Sequence, residues 1–70
     1  MNPVVVPENI KYLMALQGIS NEEMAASLRI GLRTLYRRYD RPWDFTISEL
    51  TAAAKKLGVT FMRLFDEGGN

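Results

Sequence analysis

Two helix-start patterns of the form Ser/Thr-x-x-Glu constrain how this chain can fold. Ser20 and Glu23 form the first pattern, and Thr46 and Glu49 form the second. Each matches the capping box, in which the hydroxyl and the carboxylate satisfy the first backbone donors of a helix reciprocally. Apolar residues flank both boxes at the spacing of a hydrophobic staple, and Thr60 marks a weaker third start. The pattern therefore predicts a chain of short helices.

Two glycines and a proline indicate where the helices end. Gly18 and Gly58 stand where a helix commonly needs a left-handed terminal residue, and Pro42 interrupts any helix before Trp43. The predicted helices cover approximately residues 8–17, 21–28, 32–39, 47–57 and 61–66. The fold is thus predicted to be all-α, a compact five-helix bundle in a single domain over residues 1–70.

The two ends and the fourth helix carry more specific expectations. Val4–Val6 is expected to form a short extended arm that Pro3 and Pro7 restrict to an edge strand or a disordered leader over residues 1–7, and residues 67–70 are expected to form a frayed tail. Apolar residues in the fourth helix recur at steps of three or four, which predicts a core-facing stripe. This stripe consists of Ile47, Leu50, Ala54 and Leu57.

Composition argues against several classes of function. The chain has no cysteine and no histidine, which excludes disulfides, thiolate or imidazole nucleophiles and the usual zinc sites. Its eight acidic residues are dispersed, so no metal, cofactor, catalytic residue or small-molecule ligand is expected and the protein is predicted not to be an enzyme. No apolar run approaches the roughly 20 residues that span a bilayer. No membrane association is therefore expected, and the expected compartment is the cytoplasm.

Positive charge is concentrated in one segment although the net charge is only +1. Residues 29–41 hold five arginines and one acid, Asp40, whereas the rest of the chain holds four basic and seven acidic side chains. A solvated helix face is the plain alternative to a binding surface for such a cluster. The mixture of Glu and Lys typical of a neutral solvated helix does not occur between Arg29 and Tyr39.

The basic segment coincides with a predicted helix-turn-helix. Only residues 29–31 separate the second and third helices, and such a short turn sets two short helices at a steep angle. With Leu35 taken as buried, a rotation of about 100° per residue places Arg33 and Arg37 opposite it, with Thr34 and Tyr36 on the flanks. Guanidinium groups on such a face can donate to guanine O6 and N7 in a major groove. The third helix is therefore the candidate for reading DNA.

The stretch that carries these features is ISNEEMAASLRIGLRTLYRRYDRPWDFTISELTAAAKKLGVTFMRLF. It resembles the Cro/C1-type (XRE) helix-turn-helix family of phage and bacterial regulators, over about Ile10 to Phe65. The resemblance implies a lambda repressor-like bundle that binds operator DNA as a homodimer and reads bases with its third helix. The base-reading positions it implies are Leu32, Arg33, Tyr36 and Arg37.

Contacts to the DNA backbone are expected around this helix. The resemblance implies them for Asn21, Arg41 and Trp43, and Asn21 can alternatively hold the base-reading residues in place. The positions and chemistry of Arg29, Thr34 and Arg38 add three more.

Three positions depart from the family pattern. Arg29 stands where a turn glycine is frequent, so it is expected to be left-handed at a cost of about 1 kcal/mol, or to belong to a variant turn. Arg38 stands where an apolar residue is common. Met14 and Tyr39 replace an arginine–glutamate ion pair between the first and third helices, which predicts an apolar contact between them.

These observations predict a sequence-specific DNA-binding transcriptional regulator, a phage or prophage repressor, whose partners are double-stranded DNA and a second copy of the chain. The candidate dimer surfaces are the fifth helix, with Phe61 and Phe65, and the Val4–Val6 arm. One alternative is a protein-interaction module on the same fold. It is favoured by the low net charge and by three aromatic residues that are expected to be exposed, Tyr12, Trp43 and Phe45. Another is a DNA-binding antitoxin.

Overall fold

The computed structural model describes residues 1–68, and within this range it is all-α, with no strand. Its α-helices are α1 (Val6–Gln17), α2 (Asn21–Leu28), α3 (Leu32–Asp40) and α4 (Ile47–Leu57). Short 3-10 helices cover Pro3–Val5, Pro42–Asp44 and Phe61–Phe65. The predicted bounds of the second and fourth helices are confirmed, and the third extends one residue further.

Local capping sets these boundaries. The Ser20 hydroxyl accepts a hydrogen bond from the Glu23 backbone N–H at 3.1 Å, and the Glu23 carboxylate accepts one from the Ser20 N–H at 3.2 Å. Thr46 and Glu49 make the same reciprocal pair at 3.0 and 3.1 Å. Gly18 and Gly58 end α1 and α4 with φ of 68° and 70°, a left-handed conformation that favours glycine. Both predicted capping boxes are confirmed.

The predicted fifth helix is a five-residue 3-10 helix, Phe61–Phe65, so the described residues form four α-helices instead of five. Thr60 does cap it, because its hydroxyl accepts a hydrogen bond from the Arg63 N–H at 3.2 Å. Of the predicted tail, Glu67 and Gly68 are exposed, and residues 69–70 lie outside the described range.

The predicted leader arm is wrong. Pro3–Val5 is a 3-10 helix, and α1 begins at Val6, whose side chain is fully buried in the core. Pro7 is the second residue of α1, a position that proline tolerates because the missing N–H has no partner in the first turn of a helix. Prolines at both ends of the valine run are therefore compatible with helix.

A single apolar core joins α1, α2, α4, the 3-10 helix Phe61–Phe65 and Leu35 of α3, and partly buried Leu32 and Tyr39 of α3 pack against it. The predicted stripe of α4 is correct at Leu50, Ala54 and Leu57 but wrong at Ile47, which is 68% exposed. Ile47 has the helical phase of the stripe, but it is the first residue of α4 and lies outside the core. Ala53, which the predicted stripe did not include, is also buried.

Two amide side chains, of buried Asn9 and exposed Gln17, connect distant parts of the chain. Asn9, only 2% exposed, donates through Nδ2 to the backbone carbonyl oxygens of Leu64 and Asp66, both at 2.8 Å. Gln17 donates to the Leu57 carbonyl oxygen at 2.8 Å. These bonds hold α1 against the C-terminal part of the fold. None of the described helices is both long enough and apolar enough to cross a membrane.

Candidate nucleic-acid interface

Of the nine residues of helix α3, four are exposed, four are half-buried and one is buried. Leu35 is its one buried residue and is fully enclosed by the core. Arg33, Tyr36 and Arg37 are exposed, as their rotation from Leu35 predicts. Within residues 1–68, neither Arg33 nor Arg37 takes part in an ion pair, so both guanidinium groups are available to a ligand. Thr34 is half-buried beside them.

Leu32, the first residue of α3, differs from the other predicted base-reading residues. Its side chain is partly buried and packs against the core. The exposed portion of the predicted reading face therefore consists of two arginines and a tyrosine.

The turn between α2 and α3 adopts the expected left-handed conformation. Arg29 has φ 59° and ψ 39°, and it is the one residue other than glycine with positive φ in the described chain. Its N–H donates to the Ala26 carbonyl oxygen and that of Ile30 to the Ala25 carbonyl oxygen, both at 3.1 Å. The Arg29 side chain is exposed near the start of α3.

Tyr39 connects α3 with both helices that precede it. Its hydroxyl lies 3.6 Å from the Met14 sulfur, which confirms the predicted contact between these residues. The same hydroxyl donates to Asn21 Oδ1 at 3.1 Å, so Tyr39 meets both helices through its polar group, whereas an apolar contact with Met14 was predicted. Burial raises the pKa of Tyr39 to about 12, with a smaller contribution from Tyr36. Asn21 is thus placed against α3, although its contact with phosphate stays a prediction.

Lys11 is a candidate residue that the sequence analysis missed. Its Nζ lies 4.6 Å from the centre of the Tyr39 ring, a cation–π contact that brings a positive charge from α1 to α3. The rings of Tyr39 and Tyr36 are 6.4 Å apart. Lys11 precedes Met14 by about one helical turn, so the two residues share a face of α1. Because Met14 was predicted to contact Tyr39, this spacing could have placed Lys11 near the same ring.

Arg38 has different surroundings from the other arginines. Its Nε and Nη2 donate to the two carboxylate oxygens of Glu49 at 2.8 and 3.2 Å. The hydrogen bond with this carboxylate raises the pKa of Arg38, and the same bond lowers the pKa of Glu49. Glu49 is buried, and the sequence analysis treated it only as part of a capping box. The structure thus places Arg38 in a tertiary ion pair between α3 and α4.

The loop after α3 carries a small exposed cluster. Arg41 Nε pairs with Asp44 at 3.2 Å, and the Arg41 guanidinium lies 5.4 Å from the centre of the Trp43 ring. Trp43 is 57% exposed, whereas Phe45, the apolar residue directly before the Thr46 capping box, is buried. Arg41 thus adds a third exposed arginine, beyond the C-terminal end of α3, to Arg33 and Arg37 on the helix.

No family model, curated protein or solved structure matches this chain. The described residues contain no group of three side chains suited to hold a metal ion.

Proposed function

We propose that this protein is a sequence-specific DNA-binding transcriptional regulator with a lambda repressor-like helix-turn-helix, as in Cro/C1-type phage and bacterial regulators. One observation carries the proposal. The exposed face of α3 presents Arg33, Tyr36 and Arg37 together, with exposed Arg29 before the helix and Arg41 after it. The protein is proposed to act in the cytoplasm, without catalysis and without a cofactor.

In the proposed complex, α3 lies in the major groove. Arg33 and Arg37 donate to base edges, for which the two parallel donors of guanidinium match guanine O6 and N7. Tyr36 meets a thymine methyl group or a phosphate. Arg29 and Arg41 contact the sugar-phosphate backbone on either side, which sets the position of α3 without selecting a sequence.

A salt titration tests this function. The protein is titrated by fluorescence anisotropy against random DNA and against oligonucleotides enriched by selection, each at two salt concentrations. We expect preference for the enriched DNA, and a log–log dependence of affinity on salt with a slope of about −0.9 per neutralised phosphate. Binding without salt dependence, or no binding, would exclude the proposal.

A matched pair of variants locates the interface. Arg37→Gln removes one charge from the exposed face of α3, and Lys55→Gln removes one from the exposed surface of α4. Only Arg37→Gln is expected to weaken binding to the enriched DNA. Equal effects of the two variants would point to a surface other than α3.

A protein-interaction module on the same fold is the second candidate. It is favoured by the exposed side chains of Trp43 and Ile47, which are 57% and 68% accessible. Such a module would bind a partner protein through apolar contacts, and the salt titration with DNA would show no binding.

A further inference from the structure

Helix α3 is attached to the core by few of its own side chains. Leu35 is its one fully buried residue, and no side chain caps its N-terminus at Gly31. The turn before it depends on Arg29 in a left-handed conformation. The second half of α3 is held by Tyr39, which contacts α1 and α2, and by Arg38, which contacts α4. The orientation of the second half of the helix therefore depends on these two polar residues, whereas Leu32 and Leu35 hold its first half against the core.

The carboxylate that receives Arg38 is itself fixed. Glu49 Oε1 accepts a hydrogen bond from the Thr46 N–H at 3.1 Å, and the Glu49 N–H donates to the Thr46 hydroxyl at 3.0 Å. Glu49 is only 8% exposed. Arg38 thus makes two hydrogen bonds to a group whose place is set by the first turn of α4.

The ion pair between Arg41 and Asp44 provides a comparison for the pair between Arg38 and Glu49. Arg41 and Asp44 are three residues apart, with side chains 63% and 45% exposed, and such pairs contribute little because water and salt screen them. Arg38 and Glu49 belong to different helices, and their side chains are 21% and 9% exposed. The planar, two-point contact of Arg38 also restricts rotation, which a single contact does not.

We propose that Arg38 is a positioning residue: through Glu49 it fixes the rotation of α3 against α4, so that Arg33, Tyr36 and Arg37 meet the DNA bases in one orientation. The consequence for DNA rests on the function proposed above. Arg38 then contributes to selectivity between sequences and makes no phosphate contact, in contrast to the backbone contact expected from the sequence.

Four variants test this role on DNA. Arg38→Gln and Glu49→Gln each remove the ion pair, and glutamine at 49 still suits the capping box. We expect each single variant to reduce the ratio of affinities for preferred and random DNA about tenfold, and the double variant to reduce it no further. The salt slope should stay at the wild-type value. Arg38→Lys, which keeps the charge but loses the two-point contact, should also lower the ratio.

A phosphate contact by Arg38 would give a different result. Arg38→Gln would then weaken binding to all sequences alike and lower the salt slope by about one. Glu49→Gln would release Arg38 and leave binding unchanged or stronger, and Arg38→Lys would retain most of the affinity. This pattern would overturn the proposal.

Hydrogen exchange of the DNA-free protein separates this proposal from the proposed function. Arg38→Gln and Glu49→Gln should each speed amide exchange in α3 about tenfold relative to α1, whereas the control Asp44→Asn, which breaks the exposed pair, should not. Unchanged exchange in α3 would overturn the role of Arg38 whatever the DNA result. If the wild-type protein binds no DNA but both variants exchange faster in α3, the DNA-binding function is excluded. The role of Arg38 in holding α3 in place is then retained.

Discussion

The arginines of residues 29–41 lie in different surroundings, and their surroundings suggest different roles in DNA binding. Arg33 and Arg37 share the exposed side of α3 opposite Leu35, whereas Arg41 lies beyond the end of the helix beside Asp44 and Trp43. A base contact affects one sequence more than others, while a phosphate contact affects all sequences. Binding measurements can therefore separate the two groups.

Arg33→Ala or Arg37→Ala should cost on the order of 1–3 kcal/mol on the preferred site and relax selectivity there. Arg41→Ala should weaken all sequences similarly and lower the salt slope by about one. Titrations on preferred and random oligonucleotides at two salt concentrations measure both effects. Equal losses on both DNAs for Arg33→Ala and Arg37→Ala would show that the recognition face is assigned wrongly.

Arg29 carries a backbone cost that glycine would not. Because φ is 59° at this position, Arg29→Gly should raise the free energy of unfolding by up to about 1 kcal/mol. Arg29→Ala is the matched control, since it removes the same charge but keeps a Cβ atom. Urea unfolding compares the two variants, and an equal change in both would mean that the left-handed turn stores no strain.

At the scale of elements, Tyr39 is the contact that joins α3 to α1 and α2. Tyr39→Ala should lower the free energy of unfolding by about 2–4 kcal/mol, because it removes a half-buried aromatic ring and its hydrogen bond. Tyr36→Ala, on the exposed side of the same helix, should cost less than about 1 kcal/mol. Chemical unfolding measures both, and a change near zero for Tyr39→Ala would leave the α1–α3 contact without importance for stability.

The ion pair between α3 and α4 should make stability depend on pH. The Arg38 hydrogen bond, helped by the Thr46 N–H and opposed by burial, keeps the pKa of Glu49 below its ordinary value in the folded protein. Its stabilising contribution is therefore present above the unfolded-state pKa of about 4.3 and is lost as pH falls through the folded-state value.

Urea unfolding between pH 7 and pH 3 checks this expectation. The difference in stability between wild type and Glu49→Gln should be constant near neutral pH and shrink below about pH 4. Asp44, whose side chain is 45% exposed, provides the control, and Asp44→Asn should show a smaller change. If the difference in stability between wild type and Glu49→Gln stays constant down to pH 3, the lowered pKa of Glu49 in the folded protein is contradicted.

At the scale of the whole molecule, one copy is too small to read two half-sites. The Cα atoms span 29 × 24 × 18 Å, while half-sites one helical turn apart are separated by about 34 Å. We therefore expect two copies on a palindromic site, as sedimentation with labelled DNA would show. Saturation at one copy per asymmetric site would contradict the expected homodimer.

The candidate dimer surfaces can also be compared. Val6 belongs to the core, so the predicted Val4–Val6 arm retains only Val4 as a well-exposed side chain. Phe61 and Phe65 are partly buried, with ring centres 5.4 Å apart. Val4→Asp and Phe61→Asp should therefore be compared by sedimentation, with the variant that abolishes two-copy binding marking the interface.

The sequence by itself determined the starts and ends of most helices in this protein. The capping boxes at Ser20 and Thr46 and the left-handed glycines at 18 and 58 act within about four residues, so their partners are visible in the local pattern. The exposed face of α3 was predictable for a related reason. Once Leu35 is buried, helical geometry alone sets where Arg33 and Arg37 lie.

Only the tertiary structure decided which distant side chains meet. Arg38 and Glu49 are 11 residues apart, and Asn9 and Leu64 are 55 apart. Their hydrogen bonds depend on how the helices pack, and so does the exposure of Ile47 at the end of an otherwise correct stripe. Burial in a fold is set by the neighbours that packing brings, whereas caps and helical phase are set by the chain's own next turn.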